Sequence, residues 1–257
     1  MKYLIILVGL IPLLAIGQSN DTIKITPTSL QLKYLQTGEY SYLVFLKKGP
    51  DQPALKMTLA TINVKKDLYN GKNVFVINQK WDGQDTVVHN AYTILDAQTC
   101  STIFHEYYWR RLGYLSSYDF SKREISYKGF IADSIKSKNK NEFTQSFTAF
   151  NLNWHSDLII FTLLPYKLNT TFAINFYDPG FGVPEVEYYT VTGTDKVMDE
   201  HGEAKDCWTL LLKKDSEKNY QKFWISKKTQ EVLKEEDFYN GGYRYKIKLA
   251  SVNKPAI

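Results

Sequence analysis

The feature that most constrains this fold is a series of strand-length runs separated by tight-turn sequences. The runs are rich in β-branched and aromatic residues, which favour strands. In the first half of the chain they cover residues 40–46, 55–64, 73–81, 86–95, 103–110, 114–120, 124–130 and 142–148. Asn70-Gly71 and Asp82-Gly83 separate some of them, and these dipeptides tolerate the positive φ angles of tight hairpins. The pattern predicts a mainly β, antiparallel protein.

Four further runs follow near the end of the chain, at residues 207–213, 220–226, 231–238 and 243–249. Short polar or glycine-containing links join them, and Asn240-Gly241-Gly242 is the clearest of these links. Consecutive strands with such short links predict a carboxy-terminal meander of hairpins over residues 205–250.

One segment breaks the strand pattern. Residues 154–164 have capping residues before them and a proline after them, which predicts a helix. Leu158, Phe161 and Leu164 share one face, but their neighbours are apolar too, and a helix that is apolar all round is a buried one. A single helix among about a dozen strands fits a curved sheet better than a sandwich. The predicted fold is a strongly curved antiparallel sheet, a half-barrel or open barrel, with one buried helix near residues 153–165.

The amino terminus has the pattern of a secretory signal peptide. Lys2 supplies a positive charge, residues 3–14 form an apolar run, and Ala15-Ile16-Gly17 places small residues where signal peptidase cleaves. Cleavage is expected between Gly17 and Gln18, and a buried amino-terminal strand or helix is the alternative. The apolar run is shorter than the roughly 20 residues that a membrane-spanning helix needs. We therefore expect a signal peptide at residues 1–17, no transmembrane span, and export to the periplasm of a Gram-negative envelope.

Residues 18–257 suit a single β-rich half-barrel domain. The formal net charge of the chain is +5, which is weak evidence for a polyanionic partner. Solvated turns explain the basic pairs at predicted hairpin tips better than phosphate contacts do, so no nucleic-acid partner is expected. These pairs are Lys47-Lys48, Lys65-Lys66, Lys213-Lys214 and Lys227-Lys228. The dense lysine cluster at residues 136–140 is expected to form a mobile loop.

Two cysteines, Cys100 and Cys207, lie far apart in a chain that is expected to enter an oxidising compartment. A disulfide between them would join the two halves of the protein, and two separate buried thiols are the alternative. Neither cysteine has the paired spacing of a redox or zinc site.

The sequence carries no recognisable catalytic, metal-binding or cofactor-binding motif. Its four histidines, at positions 89, 105, 155 and 201, lack metal-ligand spacing, and no nucleophile elbow or phosphate-binding glycine loop occurs. Asp82 and Asp85 resemble the paired carboxylates of a glycoside hydrolase, but turn aspartates explain them as simply. We therefore predict no catalytic residues, no metal and no cofactor, and we favour a non-enzymatic role.

Aromatic residues lie on both faces of the strand predicted at residues 103–110, because successive side chains alternate. His105, Tyr107, Trp109 and Arg111 share one face and are candidates to line a ligand cavity, with Arg111 available to an acidic head group. The alternative is a strand that is buried on both sides and whose terminal arginines reach water.

The loop at residues 177–184 combines glycines and prolines with Phe181 near its tip. Phe181 is a candidate contact for a membrane surface or a protein partner, and the alternative is that it folds back onto its own sheet. Trp154, at the start of the predicted buried helix, completes the set of candidate ligand-binding residues.

Several segments of the second half resemble a family of exported bacterial proteins of unknown function. They are residues 157–164, Thr170-Thr171-Phe172, residues 191–197, Cys207-Trp208-Thr209-Leu210, Phe223-Trp224-Ile225-Ser226 and Glu231-Val232-Leu233-Lys234. That family looks distantly related to the half-barrels of the lipoprotein-localisation carriers, in which a curved sheet wraps an apolar cavity and a helix closes it. The resemblance implies a half-barrel fold, an envelope location and an apolar ligand. It supplies no catalytic residues.

Three functions follow from these observations. The first, which we favour, is a non-catalytic cell-envelope protein that binds or carries an apolar or amphipathic ligand such as a lipid. The second is a structural or assembly factor that docks another envelope protein through a sheet edge or the Phe181 loop. The third is a hydrolase that acts on an envelope polymer.

Overall fold

The computed structural model of the protein describes residues 21–199, 202–214 and 219–250. The signal peptide predicted at residues 1–17 and its cleavage point lie outside the described residues, as does His201.

One sheet contains all 15 strands of the described residues. The strands are β1 (Asp21–Lys24), β2 (Gly38–Lys47), β3 (Leu55–Tyr69), β4 (Lys72–Asp82), β5 (Val87–Asp96), β6 (Thr102–Trp109), β7 (Leu115–Asp119), β8 (Glu124–Lys128), β9 (Leu152–Asn153), β10 (Thr170–Tyr177), β11 (Glu185–Met198), β12 (Ala204–Lys214), β13 (Asn219–Ser226), β14 (Val232–Tyr239) and β15 (Gly242–Lys248). The α-helices are α1 (Asp133–Gln145) and α2 (Asp157–Ile160), and 3-10 turns lie at Pro27–Ser29, Leu32–Tyr34, Trp154–Ser156 and Phe161–Leu163.

The order of the strands across the sheet is β1-β10-β11-β12-β13-β14-β15-β2-β3-β4-β5-β6-β7-β8, and β9 pairs with β10 off this path. Every pairing is antiparallel except those of β1 and β9 with β10. The sheet is curved and does not close into a barrel. These findings confirm the curved, mainly β fold that the sequence predicts. The pairing of β15 with β2 joins the two halves of the chain.

Hairpin geometry follows from local turn chemistry. Asn70 and Gly71, between β3 and β4, have φ angles of 50° and 76°. Asn240 and Gly241, between β14 and β15, have φ angles of 50° and 79°. Asparagine and glycine adopt this left-handed conformation at low cost, so both dipeptides turn the chain tightly enough for adjacent strands to pair.

The main hydrophobic core lies between the inner face of the sheet and the segment that contains α2. Leu158, Ile160 and Phe161 are at most 5% exposed, and the ring of Phe161 lies 4.7 Å from that of Phe223 on β13. The buried helix predicted near residues 153–165 is confirmed, although it consists of one α-helical turn between two 3-10 turns. The side chain of Asn153 caps this segment by accepting a hydrogen bond from the backbone N–H of His155 at 2.9 Å.

Two local predictions were wrong. The cluster at residues 136–140, predicted as a mobile loop, lies inside α1, and residues 142–148, predicted as a strand, contain the end of that helix. Lysine–carboxylate pairs one helical turn apart support α1, with Lys136 2.9 Å from Asp133 and Lys138 3.4 Å from Glu142. The helix is anchored to the sheet by a few inward side chains, and one of these, Phe143, is 2% exposed.

Candidate ligand-binding site

Side-chain alternation along β6 directs His105, Tyr107 and Trp109 to the inner face of the sheet. His105 and Tyr107 are almost fully buried, and Trp109 is half-buried. Arg111 follows the end of β6 and is exposed, and its guanidinium stacks on the Trp109 ring at 4.5 Å from the ring centre. The structure thus brings the candidate residues of this strand together.

Three histidines from separate elements meet beside Tyr107. The ring of His155 lies 5.3 Å from that of His89 and 4.7 Å from that of His105. Burial lowers the pKa of His89 to about 3 and the pKa of His105 well below its usual value, and a charge on His155 would lower both further. His89 and His105 are therefore neutral at physiological pH. The Nε2 atom of His155 lies 3.1 Å from Oδ1 of Asp178, which connects the helical segment to the loop after β10.

That loop covers the histidines and Tyr107. The ring of Phe181 lies 5.5 Å from Tyr107 and 6.4 Å from Trp109, and Phe181 remains 38% exposed. Gly180, with φ of 86°, packs directly against the hydroxyls of Tyr107 and Tyr118. Phe181 therefore lies against its own sheet.

Helix α1 covers the neighbouring part of the inner face. The ring of Phe143 lies 5.4 Å from that of Tyr118 and 4.9 Å from that of Phe120. Burial raises the pKa of Tyr107 to about 12, and it also raises the pKa values of Tyr118 and Tyr177. These phenols stay protonated at physiological pH, and protein side chains occupy this part of the interior.

A cleft of about 570 Å³ opens elsewhere, where the ends of β2 and of β12 to β15 meet the start of the buried helical segment. Its apolar lining includes Trp154, Leu46, Leu55, Phe238 and Tyr243. Its charged lining consists of the cations Lys47, Lys48, Lys214 and Arg244 and the acid Asp237. Apolar surface and several positive charges therefore face the same space.

Trp154 is the candidate residue that lies in this cleft. Its ring packs edge-on against Phe176 of β10, with 5.0 Å between ring centres. The Nζ atom of Lys214 lies 5.7 Å from the Trp154 ring, and the same lysine forms an ion pair with Glu187. Trp154 thus presents an aromatic surface beside a positive charge.

A network of buried charges adjoins the cleft. Arg244 forms ion pairs with Asp237 and, at 3.2 Å, with Glu235, while Lys246 lies 2.6 Å from Glu235. Burial and the adjacent Glu235 carboxylate raise the pKa of Asp237 to about 8. Burial also opposes ionisation of Glu235, but Lys246 and Arg244 outweigh it and lower the pKa of this carboxyl. Two cations, Arg244 and Lys246, and two carboxyls, Glu235 and Asp237, thus lie together beside the cleft, and Asp237 is the carboxyl that is harder to ionise.

The remaining candidate residues from the sequence, the two cysteines and Asp82, lie apart from the cleft lining. Cys100 and Cys207 are both buried and are free thiols in the structure. Asp82 lies at the end of β4 beside Lys80, at 2.9 Å. Over residues 21–199, 202–214 and 219–250, no group of three or more His, Cys, Asp and Glu side chains is arranged to hold a metal ion. The same residues contain no helix with the length and apolar character needed to span a bilayer.

Comparison with protein families gives one match, which covers residues 41–248 and is described as a protein of unknown function, DUF3108. The chain belongs to the DUF3108 family. This confirms the resemblance to a family of unknown function that the sequence of residues 157–234 suggests. No curated protein matches this DUF3108 chain.

Two solved structures are similar to the DUF3108 protein at low identity. A DUF1329 family protein from Desulfovibrio piger ATCC 29098 is 11% identical, with a TM-score of 0.27 over 86% of this chain and 89% of its own. A putative outer membrane lipoprotein-sorting protein domain from Vibrio parahaemolyticus is 10% identical, with a TM-score of 0.25 over 86% of this chain and 87% of its own.

Sequence reasoning missed the cationic residues of the cleft in this DUF3108 protein. The sequence pattern predicts that Lys47, Lys48 and Lys214 are solvated residues at scattered hairpin tips. The strand order brings those tips to the same end of the sheet, because β2 pairs with β15, β12 lies three strands beyond β15, and the intervening pairings are all antiparallel, so β2 and β12 run in the same direction. No local signal in the sequence reveals this arrangement, because the order and direction of the strands decide that both lysine pairs lie at the same end.

Proposed function

We propose that this DUF3108 protein is a non-catalytic binding or carrier protein of the periplasm whose ligand is amphipathic and anionic. The ligand would have an apolar chain and a carboxylate or phosphate head group. The observation that carries the proposal is the cleft in which Trp154 and other apolar residues face the same space as four cationic side chains.

The apolar part of the cleft suits an acyl chain. Ligand pockets in proteins typically occupy about 300–1,000 Å³ and are lined mainly by apolar and aromatic side chains. The cleft, at about 570 Å³, falls within this range. Leu46 and Leu55 at its mouth are 40% and 44% exposed, so a bound chain would remove apolar surface from water.

The charged part of the cleft suits an acidic head group. Lys48 is exposed, and Lys214 and Arg244 hold partners that a ligand carboxylate or phosphate could supplement or replace. Because burial and Glu235 raise the pKa of Asp237, this carboxyl ionises less readily than an exposed one and offsets less of the positive potential of Arg244 toward the cleft. A bidentate contact from the Arg244 guanidinium would orient an oxyanion.

The amino-terminal sequence supports the proposed periplasmic location. An apolar run with small residues at the end, as at residues 3–17, directs export. A single domain made of residues 18–257 would then act as the carrier.

The test is equilibrium binding of palmitate and of hexadecanol to the exported, delipidated protein, measured by competition with a fluorescent fatty acid. Palmitate is expected to bind more tightly than the uncharged alcohol by about tenfold, because the head group gains a charge-assisted contact. Absence of palmitate binding, combined with a protein partner of fixed stoichiometry in gentle purifications, would favour the assembly-factor alternative and overturn the proposal.

A matched pair of variants assigns the binding to the cleft. Lys48 and Lys228 are both exposed lysines at hairpin tips, but only Lys48 lines the cleft. Lys48→Glu is expected to weaken palmitate binding several-fold and to leave hexadecanol binding unchanged, while Lys228→Glu changes neither. Equal effects of the two variants would place the head group elsewhere.

A further inference from the structure

We propose that the outer face of β15, β2 and β3 is a docking surface for an anionic lipid bilayer. The inference rests on the proposed function, because this surface borders the mouth of the cleft and would place that mouth at the source of the ligand. The surface, called here the outer strip, consists of Leu43, Phe45, Met57, Leu59, Tyr243 and Tyr245.

Strand register makes the outer strip continuous. Phe45 of β2 lies between Tyr245 of β15 and Met57 of β3, and Leu43 of β2 pairs in the next row with Leu59 of β3. Met57 and Leu59 are 57% and 39% exposed, Leu43, Phe45 and Tyr243 are half-buried, and Tyr245 is 8% exposed. The outer face of an antiparallel sheet is usually polar, and a contiguous exposed apolar patch marks an interaction surface.

Aromatic contacts extend the outer strip toward the cleft. The ring of Tyr245 lies 5.2 Å from Phe45 and 6.0 Å from Tyr243, and Tyr243 lies 4.7 Å from Phe238. Tyr243 and Phe238 also line the cleft. Tyrosine combines an apolar ring with a polar hydroxyl, and it is enriched where a protein meets the boundary between lipid tails and water.

The charges around the outer strip fit an anionic surface. The Nζ atoms of Lys234 and Lys47 lie 5.5 Å and 6.0 Å from the Tyr245 ring, and Lys56 is exposed on β3. The nearby acid Glu236 accepts a hydrogen bond from Tyr220 at 2.9 Å and forms an ion pair with Lys234 at 3.4 Å, so these two charges offset each other and Lys47 and Lys56 supply the positive charge. A second copy of the chain would bring these lysines against one another, whereas anionic lipid head groups complement them.

The lip of the cleft would face the same bilayer. Leu46, Leu55 and Tyr239 line the cleft, and they are 40%, 44% and 64% exposed. Leu46 and Leu55 pair at the ends of β2 and β3, beyond the pair of Phe45 and Met57 and on the opposite face of the sheet, so the rim lies at the end of the outer strip. Contact through the outer strip would therefore bring an exposed apolar rim, together with Lys47 and Lys48, up to the lipid head groups.

Vesicle flotation of the full exported protein tests the inference. Binding is expected to vesicles that contain phosphatidylglycerol and to be much weaker on phosphatidylcholine alone, and added salt should reduce it. Met57→Glu and Leu59→Glu are each expected to lower binding about tenfold, because each removes apolar burial and adds a repelled charge. Leu68→Glu, at the opposite end of β3 and 68% exposed, is the matched control and should bind as the wild type does.

The other outcomes overturn the inference. Equal binding to both kinds of vesicle, or wild-type binding by Met57→Glu, would rule out the outer strip as the docking surface. A concentration-dependent dimer that Met57→Glu dissociates would show that a second copy covers the strip instead.

Palmitate binding in vesicle-free solution separates the two proposals. If palmitate binding persists in wild-type protein that does not float, only the docking surface fails. If palmitate does not bind but flotation follows the expected pattern, the proposed function fails while the bilayer contact stands.

Discussion

Gly180 packs against the hydroxyl of Tyr107 so closely that no side chain could be placed between them. A Cβ atom at this position would also lie 2.7 Å from the hydroxyl of Tyr118, and the φ angle of Gly180 is 86°. Both the space and the backbone conformation thus require glycine at the point where the loop after β10 meets the inner face of the sheet.

Replacing this glycine is expected to destabilise the protein. Gly180→Ala should lower the free energy of unfolding by about 2 kcal/mol or more, because it combines left-handed strain with overpacking against two buried phenols. Chemical denaturation followed by circular dichroism measures the change.

Gly71→Ala separates strain from overpacking. Gly71 has a φ angle of 76°, but a Cβ atom there would meet nothing within 4 Å. Gly71→Ala should therefore lower the free energy of unfolding by about 1 kcal/mol, which is the strain of the left-handed conformation alone. Equal losses for the two variants would mean that the loop moves away from Tyr107 at little cost.

The hairpins could be predicted from sequence because their determinants are local. Asn70-Gly71 and Asn240-Gly241 fix tight turns whatever surrounds them, and the strands on either side pair as expected. Helix α1 could not be predicted in the same way. Its sequence is polar with no clear apolar period, and what anchors it is the contact of Phe143 with rings from distant parts of the chain.

The cleft depends on contacts of long range. Arg244 and Leu46 face each other only because β15 pairs with β2, and local patterns do not reveal that pairing. The alternation of β6 did predict that His105, Tyr107 and Trp109 share a face. It could not predict that α1 and the Phe181 loop cover this face and that the open cleft lies beside Trp154.

The state of the two cysteines can be tested by thiol titration. Burial raises the pKa of Cys100 to about 12 and that of Cys207 to about 11, so neither thiol is ionised or accessible in the native state. The folded protein is expected to react with a water-soluble disulfide reagent very slowly at pH 8, and the unfolded, unreduced protein should show two thiols. An unfolded protein with no free thiol would establish the disulfide that the sequence left open.

The buried ion pair of Lys246 and Glu235 should be costly to break from one side. Glu235 is 1% exposed and Lys246 is 6% exposed. Lys246→Met is expected to lower the free energy of unfolding by about 3 kcal/mol, because it removes one of the two cations that compensate the buried carboxylate. The double variant Lys246→Met with Glu235→Gln should recover part of the loss. Lys65→Met, which breaks the exposed pair with Asp67, serves as the control and should leave stability unchanged.

Asp237 should give the protein a stability that decreases with rising pH. Its carboxyl has a reference pKa of 3.8 and a pKa of about 8 in the folded protein, so folding favours the protonated form. The stabilisation is complete below the reference pKa, and it is lost as the pH rises from about 4 to 8, by at most about 1.4 kcal/mol per pH unit for one proton. The asparagine of Asp237→Asn cannot ionise, so this contribution to the pH dependence of the free energy of unfolding should be absent from the variant.

Urea unfolding of the wild type and of Asp237→Asn between pH 5 and pH 8 measures the difference. The asparagine variant is expected to gain stability relative to the wild type as the pH rises, because its amide still accepts a hydrogen bond from Arg244 without placing a second negative charge beside Glu235. Asp133→Asn is the control, because Lys136 lowers the pKa of this exposed carboxyl, so Asp133 is ionised in both the folded and the unfolded protein above pH 5 and its replacement should leave the pH slope unchanged. Parallel curves for the wild type and Asp237→Asn would mean that Asp237 is ionised throughout, and the positive potential of Arg244 toward the cleft would then be largely cancelled.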